Sequence, residues 1–150
     1  MKKFVVLIFS LCGWAVVHAQ NPVDIQELLA SRKFSFVPQS VMPVSGGSRQ
    51  VISDYRVKLS GDSLEAYLPY FGRANAPILP DEAGIDFIST SFEYKWKKGK
   101  KKTWELSIRP KDGEGVRQMN FTLYSNANAR LFVNSTNKQP ITYFGYVVKD

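Results

Sequence analysis

Histidine and cysteine occur once each, as His18 and Cys12, and both fall within the first nineteen of 150 residues. That stretch reads as a secretory signal. Met1-Lys2-Lys3 is a short basic head, and the apolar run from Phe4 to Val17 has the length of a signal core, not the roughly twenty residues of a membrane span. Val17-His18-Ala19 places small or modest side chains where a signal peptidase reads, so cleavage is expected after Ala19. Lipidation of Cys12 is rejected, because Phe9-Ser10-Leu11 does not fit the leucine-then-small pattern and Cys12 lies inside the apolar core.

A mature chain of residues 20–150 then has neither thiol nor imidazole. A disulfide, a cysteine nucleophile, a Cys/His zinc site and a Ser-His-Asp triad are all excluded from it. The carboxylates Asp54, Asp81, Glu82 and Asp86 lie near turns or strand ends with no motif joining them into an acid/base pair. Asp81 and Glu82 also lack the dense spacing of a calcium loop. The chain is therefore read as non-enzymatic, with no cofactor and no metal. No second apolar run follows the signal, so no transmembrane segment is expected after cleavage, and the expected location is periplasmic or secreted. Loss of Lys2 and Lys3 leaves 18 basic against 13 acidic residues, a net +5 in place of +7. About 130 residues suffice for one domain with a core of its own, without covalent staples.

What the chain does have is alternation. The stretch Asp54 to Arg73 predicts a hairpin turning at Gly61-Asp62, where Gly supplies the positive φ of a tight turn. That turn sets Leu59 opposite Leu64, Val57 opposite Ala66 and Tyr55 opposite Leu68. On the other face Lys58 meets Glu65, and Arg56 lies over Tyr67. A slip by one residue would exchange the apolar and charged sets, so one register satisfies both faces. Pro69 ends the ladder, and Gly72 permits a bend.

A second hairpin spans Thr90 to Ile108. Phe92, Tyr94 and Trp96 alternate on one arm, and Trp104, Leu106 and Ile108 on the other. An odd loop centred on Lys100 keeps the faces unmixed, with Trp96 opposite Trp104, Tyr94 opposite Leu106, Phe92 opposite Ile108 and Lys95 opposite Glu105. Its tip carries Lys97, Lys98, Lys100, Lys101 and Lys102. Such a tip is either an electrostatic hook for acidic glycans, phosphate or nucleic acid, or a solvated turn that blocks edge-to-edge aggregation. The alternation turns Tyr94 and Trp96 inward, which argues against a nucleic-acid platform.

Elsewhere, Asn21-Pro22 to Ala30 predicts a short helix with Asn21 as cap, Pro22 in its first position, and Ile25, Leu28 and Leu29 as its apolar stripe. Lys33 to Val37 predicts a first strand, and residues 38–48 read as a loop. Met119, Phe121 and Leu123, then Ala129, Leu131 and Val133, then Ile141, Tyr143, Gly145 and Val147 form the inner sets of three later strands. Phe132, Phe144 and Tyr146 fall on the outer parity, and the helix is the expected cover for them. The fold class is mainly β, an antiparallel meander curled into a barrel or half-barrel with one short N-terminal helix; a β-sandwich is the alternative.

Leu68-Pro69-Tyr70-Phe71-Gly72-Arg73, with Ile85-Asp86-Phe87 and Ile141-Thr142-Tyr143-Phe144-Gly145, resembles an uncharacterised domain-of-unknown-function family of small secreted proteins from Bacteroidetes. The resemblance implies a compact β domain in the envelope or outside the cell, and brings no activity or cofactor. Asp62-Ser63-Leu64 also resembles the short O-glycosylation motif of that phylum. The function expected is a non-catalytic binding module for a small apolar or sugar-like ligand, with Tyr67, Tyr70, Phe71 and Arg73 as its binding residues and the last three as a gate at the corner. The same corner could instead be a plug. The alternative function is an envelope structural or interaction domain that meets a protein or glycan and holds no small molecule. A large empty interior would favour the first, and a packed one the second.

Overall fold

The computed structural model describes residues 22–73 and 84–150; the stretch expected to be a signal, and Asp81 and Glu82, lie outside the described residues. The chain opens with α1, Ile25–Ser31. Its cap is Asp24, not Asn21, because the Asp24 carboxylate accepts from the amides of Gln26 and Glu27 at 2.9 and 3.3 Å. Pro22 therefore precedes the helix rather than starting it. Ile25, Leu28 and Leu29 are buried as expected. The helix stops at Arg32, whose φ of 52° is left-handed.

The strands are β1 (Lys33–Pro43), β2 (Arg49–Gln50), β3 (Arg56–Ser60), β4 (Ser63–Leu68), β5 (Ile85–Ser89), β6 (Phe92–Lys98), β7 (Thr103–Pro110), β8 (Val116–Tyr124), β9 (Asn128–Ser135) and β10 (Ile141–Lys149). All pairings are antiparallel, in the order β5-β4-β3-β1-β10-β9-β8-β7-β6, with β2 joining β1. The two ends of that path, β5 and β6, are separated in sequence by Thr90 and Ser91 alone. So short a link brings the ends of one continuous sheet together, and the sheet is nearly closed into a barrel. Asp112 pins this seam. Its carboxylate receives the Ser89 hydroxyl and the Thr90 amide, and Lys111 N–H donates to Ser91 C=O at 2.8 Å.

The β3–β4 hairpin has the expected register, Leu59 with Leu64, Val57 with Ala66, Lys58 with Glu65 and Arg56 with Tyr67. Tyr55 departs from expectation. It lies before β3 begins, is half-buried, and stacks on the Tyr67 ring at 4.9 Å, so an outward ring packs on Tyr67 there. The β6–β7 hairpin keeps the expected parity but is displaced by two residues. Trp96 faces Leu106, Tyr94 faces Ile108, and Lys97 faces Glu105. The loop is odd but centred on Lys101, because the amide and hydroxyl of Thr103 both reach the Lys100 carbonyl and Gly99 N–H donates to Thr103 C=O.

β1 runs through most of the stretch read as a loop. A bulge between Pro38 and Ser40 absorbs the proline, and Val41 and Pro43 beyond it are buried and paired to β10. β1 passes so close to β10 that a Cβ on Gly145 would collide with the carbonyl of Val37.

The inward residues form one core. Phe121 of β8 meets Phe34 and Phe36 of β1 edge-on, at 6.5 and 5.7 Å. The predicted inner sets of β8, β9 and β10 are all buried. The α1 stripe belongs to this same cluster, so the helix packs on the interior and does not cover the outer face of the last strands. The reason lies in its first strand: α1 leads directly into β1, whose Phe34 and Phe36 face inward. Phe144 stays exposed.

Candidate functional site

Two surfaces carry the residues singled out by sequence, the corner after β4 and the tip of β6–β7. In the corner, Pro69 is buried and Tyr70 folds its ring back over Gly72, so closely that a Cβ there would overlap the Tyr70 ring. The Tyr70 hydroxyl lies within hydrogen-bond distance of the carbonyls of Arg73 and Gln139, at 2.8 and 3.0 Å. Gln139 N–H donates to Arg73 C=O at 3.1 Å, and Lys138 Nζ stands 5.4 Å over the Tyr70 ring and donates to Gly84 C=O. From inside, Tyr143 donates its hydroxyl to Pro69 C=O at 2.6 Å.

Burial raises the pKa of both Tyr70 and Tyr143, since a phenolate would lose its hydration there. Both hydroxyls therefore stay protonated as donors to main-chain carbonyls. At the bend it is the Tyr70 hydroxyl that meets main-chain carbonyls, and the Arg73 side chain is exposed. Phe71 is exposed beneath the Arg49 guanidinium, 5.1 Å from its ring. Tyr67 lies on the outer face of β4, stacked on Tyr55. Of the four predicted ligand-binding residues the corner thus brings together Tyr70, Phe71 and Arg73, and Tyr67 stands apart. Lys138, Gln139 and Tyr143 complete the corner. The two-residue period marks Tyr143 only as an inward residue, and nothing local in the sequence marks Lys138 or Gln139, since the partners of all three lie in segments distant along the chain.

At the other surface, Lys97, Lys98, Lys100, Lys101 and Lys102 are all exposed. Lys97 pairs with Glu105 at 3.0 Å, whereas among the described residues no carboxylate lies within ion-pair distance of the other four. Lys101 and Lys102 hold left-handed φ values of 53° and 57°. At the foot of the tip, the outer face of β6–β8 carries a groove of about 380 Å³, lined by Lys95, Lys97, Ser107, Asn120 and Thr122 among others. Tyr94 and Trp96 lie half-buried on the other side of β6, where the Tyr94 hydroxyl donates to Leu29 C=O at 2.8 Å and its ring carries the Arg32 guanidinium at 4.6 Å.

Of the carboxylates considered for acid/base work, Asp54 and Asp86 are exposed. Among the described residues no group of three or more His, Cys, Asp or Glu side chains could hold a metal ion. None of their helices is long and apolar enough to cross a membrane.

The profile of a domain of unknown function, DUF4251, matches residues 17–147. The fold is similar to the crystal structure of a DUF4251 family protein from Bacteroides eggerthii DSM 20697, with a TM-score of 0.66 and 20% identity over 84% of this chain and 85% of that one. No curated protein matches the sequence.

Proposed function

The chain belongs to the DUF4251 family, and from that premise we propose that it is an exported, non-catalytic binding module whose partner meets the outside of the sheet. The observation that carries this reading is the use of the two corner hydroxyls. Tyr70 and Tyr143 are spent on the carbonyls of Pro69, Arg73 and Gln139, so the corner is a latch on the barrel rather than a gate into it. The inward side chains support the same view, because Phe34 and Phe36 pack on Phe121, and Tyr143 is buried in the same core, where an enclosed ligand would sit. Export is supported by the basic head and short apolar run before residue 20, and a non-catalytic role by a segment beyond Ala19 without histidine or cysteine.

Native mass spectrometry of protein purified from its producing cells tests this. The expected mass is that of the chain beginning at Gln20, with no retained small molecule. A retained small molecule whose binding is lost when Leu131→Trp fills the interior would overturn the outer-surface reading.

A further inference from the structure

We infer that the β6–β7 tip and the groove at its foot form a binding site for an acidic polysaccharide, an inference that rests on the outer-surface reading and names its partner class. Charge comes first. From Glu93 to Glu105 the hairpin has six lysines and two glutamates, and the ion pairs of Lys95 with Glu93 and Lys97 with Glu105 use both acids. Lys98, Lys100, Lys101 and Lys102 are left as a concentrated positive point on a narrow projection.

Backbone geometry adds an independent argument. A tight turn with two consecutive left-handed residues favours glycine or asparagine, yet lysine occupies both positions, Lys101 and Lys102. Solubility alone would be served by lysines on the arms. Strained residues at a turn tip mark a place where side-chain identity outweighs local stability.

The groove supplies what a bare cationic tip lacks. Ser107 and Asn120 face each other across β7–β8, and the Gln118 amide donates to the Ser107 hydroxyl at 3.0 Å and the Asn120 carbonyl oxygen at 2.8 Å. That arrangement fixes both side chains and leaves the Asn120 N–H₂ and the Ser107 hydroxyl proton free to donate. With Thr122 beside them, and with Lys97 neutralising the Glu105 that also lines it, the groove offers directional polar groups below the four unpaired lysines of the tip, the combination that recognises ring hydroxyls and carboxylates together. Nucleic acid would need exposed rings for stacking, and Tyr94 and Trp96 are turned to the core side. A membrane surface would need apolar side chains at the tip, and residues 97–102 have none.

The test is titration of the full folded chain with polygalacturonate at about 0.15 M salt, where exposed charges more than about 8 Å apart are largely screened. Fully methyl-esterified polygalacturonate, polyphosphate and single-stranded DNA serve as comparisons. The expected result is binding to polygalacturonate but not to its ester. Lys100→Glu with Lys101→Glu should weaken it by about tenfold or more, and Asn120→Ala by about threefold with polyphosphate affinity unchanged. Lys101→Gly with Lys102→Gly should melt at a higher temperature than the parent and bind polygalacturonate more weakly. No binding to polygalacturonate, equal binding by the glutamate variants, or polyphosphate and DNA binding as tightly with no effect of Asn120→Ala would each overturn the glycan site. Retention of a small molecule in the interior would overturn the outer-surface reading instead, so the two failures are distinguishable.

Discussion

Tyr143, near the start of β10, donates its hydroxyl to the carbonyl of Pro69 at 2.6 Å, joining residues 74 apart in sequence. Proline has ended the β4 ladder there, so its carbonyl has no strand partner, and a tyrosine from across the barrel supplies the donor. Tyr143→Phe leaves that buried carbonyl unsatisfied. The expected loss is about 1–3 kcal/mol, read as a lower denaturant midpoint at unchanged slope. Faster amide exchange in the corner should accompany it.

Gly145 is set by approach rather than by dihedral angle. A methyl group there would strike the Val37 carbonyl, and backbone cannot swing aside as a side chain can. Gly145→Ala should cost about 3 kcal/mol or more, or abolish folding, in a chemical denaturation series. Gly72→Ala is milder, since the neighbour is the Tyr70 ring, which can rotate at the expense of its two carbonyl contacts.

Lys101→Gly and Lys102→Gly should each stabilise the fold by about 1 kcal/mol, by removing the side chain from a left-handed position. Thermal melts of the single variants check this. An unchanged or lower melting temperature would show that the turn holds lysine without strain.

Asp112 gives the seam a pH dependence. The Ser89 hydroxyl bond, opposed by desolvation and aided by the Thr90 amide, lowers its pKa below the ordinary 3.8. A depressed carboxylate contributes stability that is fully present above 3.8 and is lost as pH falls below it through the folded-state value. Asp112→Asn should therefore lose stability at neutral pH and flatten the part of the acid unfolding curve below about pH 4, measured by denaturant midpoints across pH.

Inward and outward parity was legible in the β3–β4 hairpin beyond Tyr55 and in the later strands, because burial on one side of a pleated strand leaves a two-residue period in the sequence. Leu59 and Leu64, Met119 to Leu123, and Ile141 to Val147 all face where that period put them. The β3–β4 register followed from a single glycine turn whose every alternative mixed charged and apolar faces. The β6–β7 register did not. Displacements by two residues preserve parity, and only the Thr103 contacts with the Lys100 carbonyl select among them.

The sequence by itself determined the fold class, the inner set of each later strand and the position of the basic tip, since these rest on neighbours close along the chain. Only the tertiary structure decided that Pro38 sits in a bulge of a longer strand, that the α1 stripe joins the core, and that the corner is fastened by Tyr143 and Gln139. Those contacts join residues far apart in sequence, and they form only once the sheet has curled and brought β10 beside β1 and the end of β4 within reach of both.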